Sequence, residues 1–205
     1  MKQQQGFTLV EIAIVLVIIG LLLGGVLKGQ EIITNAKVKN LENSVDGLAA
    51  AIYSYQDRYR AYPGDDDRAT RFPGLAAAQN GNGDGIIAGA FDKVVPADET
   101  SKLWLHLRNS GLVSGEVAPG ALNNAAYTNP RNAFGGVTGA ATSGAAPATL
   151  MKTITGTYIG FTNIPNPIAI ILETRADEGD STKGSIQSDA VYTDTAKLHQ
   201  LYFAI

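Results

Sequence analysis

From Phe7 to Leu27 the sequence holds a single ionisable side chain, Glu11, in an otherwise almost wholly apolar run. As a helix this run reaches roughly 30 Å, the thickness of a bilayer's hydrocarbon core. A buried core helix is rarely so long and so uniformly apolar. A secretory signal peptide would need a more basic start and a small-residue cleavage site after the run, whereas Lys28-Gly29-Gln30-Glu31 follows here. Lys2, in the short polar stretch Met1–Gly6, joins the initiator amine in favouring an N-terminus left in the cytoplasm, with the rest on the outer side.

An ionised carboxylate in a membrane helix costs at least a few kcal/mol unless it is paired, so Glu11 is a functional residue by default. Lys28 lies roughly 25 Å further along a helix and cannot reach it. An amine freed by cleavage just before Phe7 would lie about one helical turn away. Pairing within one molecule is sterically allowed; pairing with a neighbour's amine would make the bond depend on assembly.

Gly6-Phe7-Thr8-Leu9-Val10-Glu11, followed by the apolar stretch, resembles the N-terminal cleavage and methylation motif of type IV prepilins and type II secretion pseudopilins. The resemblance implies cleavage between Gly6 and Phe7 by a prepilin peptidase, N-methylation of Phe7, and neutralisation of a neighbour's Phe7 amine by Glu11. It also implies residence in the bacterial inner membrane, then extraction by an assembly platform into a helical filament of identical or related subunits. The segment departs from many pilins in having no proline; Gly20, Gly24 and Gly25 are its weak points.

Beyond the membrane run, Val38, Leu41, Val45, Leu48, Ile52, Tyr55 and Tyr59 recur at spacings of three and four, one apolar stripe on a helix. The pattern predicts one helix from Phe7 to Tyr59, closed by Tyr62-Pro63-Gly64, its stripe buried under a C-terminal sheet or in a coiled coil. The sequence thus divides into a leader (1–6), a membrane or filament-core half-helix (7–27), an amphipathic half-helix (28–62) and an α+β head (63–205). In the head, Asp98–Leu112 reads as a helix with Trp104 in the core, His106 at the surface or boundary and Gly111 closing it. Residues 115–149, rich in Gly, Ala, Asn, Thr and Ser, read as a long surface excursion. Thr153–Phe161, Gly184–Gln187 and Leu198–Ile205 suit strands, and Pro167–Arg175 fits either a helix or a strand. The outcome is an α+β, pilin-like plan: a long N-terminal helix packed against a small antiparallel sheet. The cysteine pair of many type IV pilins is missing.

The absence of cysteine excludes a disulfide framework, a thiol nucleophile and a cysteine zinc site. A net charge of −3 argues against nucleic-acid binding, which favours a basic stripe. Gly179 to Gly184 is one residue off a nucleophile elbow and lacks its strand-to-helix context, and Gly83-Asp84-Gly85 lacks a third glycine, so no enzyme is expected. Asn80-Gly81-Asn82-Gly83-Asp84-Gly85 resembles the first half of a calcium loop, with oxygen side chains at Asn80, Asn82 and Asp84. The match fails further on, where Phe91 stands for the terminal glutamate; Asp65, Asp66 or Asp67 could complete a shell. No cofactor is required, calcium being the one candidate; two simple Asn-Gly and Asp-Gly turns explain the same residues. The expected function is a structural subunit, major or minor, of a type IV pilus-like fibre. The alternatives are a type II secretion pseudopilin and a minor tip pilin that binds DNA or a surface.

Overall fold

The computed structural model describes residues 8–117, 124–144, 154–177, 179–194 and 196–205. Their elements run α1 (Leu9–Tyr59), α2 (Glu99–Asn109), α3 (Asn124–Tyr127), β1 (Thr138–Thr142), β2 (Thr157–Pro165), α4 (Asn166–Ala176), β3 (Ile186–Ser188) and β4 (Leu198–Ala204), with single 3₁₀ turns at Ala69–Arg71 and Ala77–Gln79. A long N-terminal helix and a four-stranded antiparallel sheet of order β1-β2-β4-β3 make this an α+β protein of pilin-like layout. It forms two compact units, Met1–Lys39 and Asn40–Ile205.

In the first unit every described residue from Thr8 to Lys28 is exposed, including Leu9, Leu16 and Leu21. Among the described residues α1 is the one helix long and apolar enough to cross a membrane. Where the apolar run ends, Lys28 Nζ pairs with Glu31 Oε2 at 2.7 Å, one turn on.

In the second unit the predicted stripe is observed. Leu41, Leu48, Ile52 and Tyr55 are buried, and each buried aliphatic contributes about 1.5–3 kcal/mol. Tyr55 lies beside Tyr59 at a ring separation of 4.6 Å, and beside Phe72 and beside His106 of α2 at 6.2 Å each. α1 stops at Tyr59, before the Tyr62-Pro63-Gly64 brake, because Arg60 takes a left-handed φ of 58° while its N–H closes on Gln56 O at 2.8 Å.

α2 is the centre of the unit: every residue from Glu99 to Arg108 is buried. His106, expected at the surface or boundary, is fully buried instead. The reason is that polar α2 side chains satisfy loop backbone that has no ladder of its own. Glu99 accepts the Asn82 and Ala88 N–H groups at 3.0 Å each, Ser101 accepts that of Val95 at 2.9 Å, and Lys102 donates to Asn80 O at 2.8 Å. Arg108 donates to Ala126 O at 2.6 Å and Thr128 O at 2.7 Å, fastening the backbone around α3. Gly111 follows α2 with φ +73°, and Leu112 N–H returns to Leu107 O at 3.0 Å, a left-handed helix stop.

The excursion expected over 115–149 is partly corrected. Its described parts contain α3 and β1, while 118–123 and 145–149 lie outside the described residues. β1 is Thr-Gly-Ala-Ala-Thr, a poor strand former by composition, yet its small residues have a cause. Gly139 lies opposite Gly160 of β2. A Cβ on Gly160 would strike the Phe91 ring, and one on Gly139 would strike the Phe91 carbonyl. The segment carrying Phe91 therefore crosses this face of the sheet, where Phe91, Tyr158 and Tyr202 meet edge-to-face at 5.5–6.1 Å. β2 begins at Thr157, later than expected, and runs to Pro165 through a bulge between Phe161 and Ile164; Thr153 lies outside the described residues. The ambiguous segment is the helix α4, with Pro167 in its first turn. β3 and β4 fall within two residues of the expected strands.

Both sheet margins are occupied. On β1, Thr138 N–H donates to Pro130 O at 2.9 Å and Thr142 N–H to Ile87 O at 3.1 Å. On β3, Ile186 N–H goes to Asp177 Oδ2 at 2.7 Å and Ser188 N–H to Ser181 O at 2.9 Å.

Candidate assembly site and acidic loop

The processing residues Gly6 and Phe7 lie outside the described residues. Glu11 lies in the first turn of α1. Thr8 donates to Glu11 Oε2 twice, from its backbone N–H and from its hydroxyl, each at 2.8 Å. Glu11 N–H is directed back at Thr8 Oγ1 at 3.3 Å. This is a reciprocal capping box: Thr8 stands at the N-cap, and the acid three residues on satisfies a backbone donor that has no partner in the helix. The Thr-x-x-Glu spacing is present in the sequence, but the isolated charge of Glu11 overshadows this second use.

The second constellation is built around Asp65, buried just past the end of α1. The loop 80–85 wraps its carboxylate. Gly83 N–H and Asp84 N–H donate to Oδ1 at 2.7 and 3.0 Å, and Gly85 N–H to Oδ2 at 2.8 Å. Three successive amides around one anion form a nest. The glycines follow from this geometry. Gly83 and Gly85 have φ of +76° and +85°, and a Cβ on Gly81 would collide with the Asp65 backbone.

Asp84 and Glu99 complete an acidic trio with Asp65, one oxygen from each lying within 4.8 Å of the others. Burial pushes the Asp65 and Glu99 carboxyls above the ordinary range, and the neighbouring acid charges push the same way. Of the three calcium candidates, Asp84 alone joins the trio. Asn80 turns its amide to Thr70 N–H (3.1 Å) and Asp67 O (2.6 Å), and Asn82 turns its own to Asp84. Glu99, far along the sequence and on a helix, escapes sequence reasoning, because no local spacing signals it. The trio fits a hard divalent cation by donor type, supplying three carboxylates toward the six to eight oxygens calcium takes. The backbone N–H bonds to Asp65 and Glu99 leave lone pairs on their oxygens.

Next to the trio a buried hub ties the end of α1 to the loops. Asp66, fully buried, accepts the Tyr55 hydroxyl at 2.7 Å, Arg68 N–H at 2.9 Å and the Arg71 guanidinium at 2.6 and 2.8 Å. His106 stacks on Tyr55, accepts Gly64 N–H at Nδ1 (2.9 Å) and faces Gln79 O through Nε2 (2.9 Å). Since Gly64 N–H is a donor, the proton is assigned to Nε2. Burial holds His106 neutral, its pKa lowered to about 4.

Ser188, His199 and Asp189 also come together, unforeseen from the sequence. Ser188 Oγ and Asp189 Oδ1 both sit on His199 Nδ1, at 2.9 and 3.1 Å, while Nε2 is buried without a hydrogen-bond partner. A nucleophile and an orienting acid use opposite ring nitrogens, so this is not the order of a catalytic triad.

Residues 1–27 match the prokaryotic N-terminal methylation motif, the signature of type IV pilins and pseudopilins. No curated protein and no solved structure matches the sequence.

Proposed function

We propose that this protein, which bears the signature of type IV pilins and pseudopilins, is a structural subunit, major or minor, of a type IV pilus-like filament. One observation carries the reading. The motif heads a helix, Leu9–Tyr59, whose apolar first part is exposed on every face. In the precursor that surface faces lipid in the inner membrane, with the N-terminus cytoplasmic. In the filament the same surface is buried against the helices of other subunits. Prepilin peptidase cuts between Gly6 and Phe7, and the new Phe7 amine is N-methylated. Glu11 neutralises the amine of a neighbouring subunit and so sets register along the fibre. Mass spectrometry of the mature protein tests the processing step. It is expected to find molecules that begin at N-methylated Phe7; an intact Met1 start in a host that has the peptidase would refute it.

A type II secretion pseudopilus uses the same helix and the same motif. Electron microscopy of sheared cell-surface material, with identification of the subunit, separates the two. A long external fibre is expected; confinement to the periplasm would favour the pseudopilus.

Calcium is the ion the acidic trio would hold, its charge relieving the raised carboxyls of Asp65 and Glu99. At a calcium concentration a hundredfold above the dissociation constant, stabilisation of about 2.7 kcal/mol is expected, read as a higher melting temperature. Asp84→Ala should remove most of that shift. A melting temperature indifferent to calcium and to chelator would rule the ion out.

A further inference from the structure

The loop 80–85 holds both Asn-Gly pairs of the sequence, Asn80-Gly81 and Asn82-Gly83. Such a pair is chemically labile. Solvent hydroxide removes the glycine N–H proton, and the nitrogen attacks the asparagine Cγ. The new N–Cγ bond closes a five-membered imide as the Cγ–Nδ2 bond breaks and ammonia leaves. Water then opens the imide to aspartate or isoaspartate. Reaction needs a free amide and a free glycine nitrogen, so hydrogen bonds on either one slow it.

The two pairs are held very differently. The Asn80 amide is tied twice to a separate segment, accepting from Thr70 N–H (3.1 Å) and donating to Asp67 O (2.6 Å). Its backbone carbonyl is taken by Lys102 Nζ at 2.8 Å, and the attacking Gly81 N–H is spent on Asp66 O at 2.8 Å. The Asn80 backbone is extended, with ψ 149°. Asn82 is exposed, and both bonds of its amide run to the exposed Asp84, two residues on in the same loop. Its Oδ1 accepts Asp84 N–H at 2.9 Å, and its Nδ2 donates to Asp84 Oδ2 at 2.9 Å. Gly83 N–H donates to Asp65, at the backbone O (2.9 Å) and at Oδ1 (2.7 Å).

We propose that Asn82 is a deamidation site of the folded protein, restrained by Asp84, whereas Asn80, the same dipeptide two residues away, is shielded by the fold. The shield at Asn80 fails only when segments 66–71 and 80–85 separate. At both pairs the glycine N–H is held by residues 65–66, so the difference lies in the side-chain amide: the bonds of the Asn82 amide stay within its own loop and are broken by a smaller, more frequent opening. Conversion at Asn82 exchanges an N–H donor facing Asp84 for a second negative charge, and so adds a fourth acid beside Asp65, Asp84 and Glu99.

The test uses the full-length protein in detergent, aged at mildly alkaline pH and followed by peptide-mapping mass spectrometry. In denaturant both asparagines are expected to convert at similar rates, which sets the reference. In the folded protein Asn82 should convert and Asn80 should lag by about tenfold or more. Asp84→Ala, a change at an exposed position, should speed Asn82 several-fold and leave Asn80 as it was. The proposal is overturned if folded Asn80 keeps pace with Asn82. It is equally overturned if Asn82 stays intact while the unfolded protein is consumed, or if Asp84→Ala does not change its rate.

Discussion

Glu11→Ala is expected to leave the protein inserted in the membrane while filament yield falls a hundredfold or more. Insertion should if anything improve, because a carboxylate is removed from an apolar segment. Assembly fails for the opposite reason. In the fibre the neighbour's amine would be buried without its counter-charge, and losing one partner of a buried ion pair costs about 3–5 kcal/mol. The capping box complicates this simple picture. Alanine also removes the acceptor that Thr8 uses twice, and a lost cap by itself costs about 0.5–2 kcal/mol. Glu11→Gln separates the two roles, since glutamine keeps the capping geometry and discards the charge. Filament yield from Glu11→Gln should resemble that from Glu11→Ala, counted in sheared fractions against equal membrane levels. Wild-type yield from the glutamine variant would assign Glu11 to the cap and refute its part in register.

The second large effect is expected in the head. Asp66→Ala should destabilise it by about 3 kcal/mol, the lower end for breaking a buried pair because Arg71 keeps some access to water. The substitution orphans the Tyr55 hydroxyl and Arg68 N–H together with the guanidinium. Tyr55→Phe, which removes one donor and keeps the ring on Phe72 and His106, should cost only about 1 kcal/mol. Chemical denaturation of the detergent-solubilised protein measures both. Equal losses would show that the Tyr55 hydroxyl bond alone, and not the Arg68 and Arg71 contacts, carries the contribution of Asp66.

What is readable in the sequence follows from where the physics is local. The apolar run and the stripe from Leu41 to Tyr55 depend on periodicity alone, and both appear at the expected positions. The left-handed stop at Gly111 is likewise a local matter. β1 is not readable, because Gly139 is required by the approach of Phe91, a contact invisible along the sequence. His106 is misplaced by sequence reasoning for a related reason. A helix normally divides into a wet and a dry face, but α2 is enclosed and uses its polar side chains to satisfy loops. The acidic loop is half legible. Its glycines and Asp84 stand out, whereas Asp65 as the nested anion and Glu99 as its companion need the fold to bring them together.

The occupied margins of the sheet bear on life inside a polymer. Molecules stacked at very high local concentration are exposed to a hazard dilute proteins escape, the templated addition of one molecule's strand to another's. Here Pro130 and Ile87 on one side, and Asp177 and Ser181 on the other, already accept N–H groups that such a strand would seek. Growth by sheet extension is thereby discouraged, in keeping with the proposed assembly through the N-terminal helix.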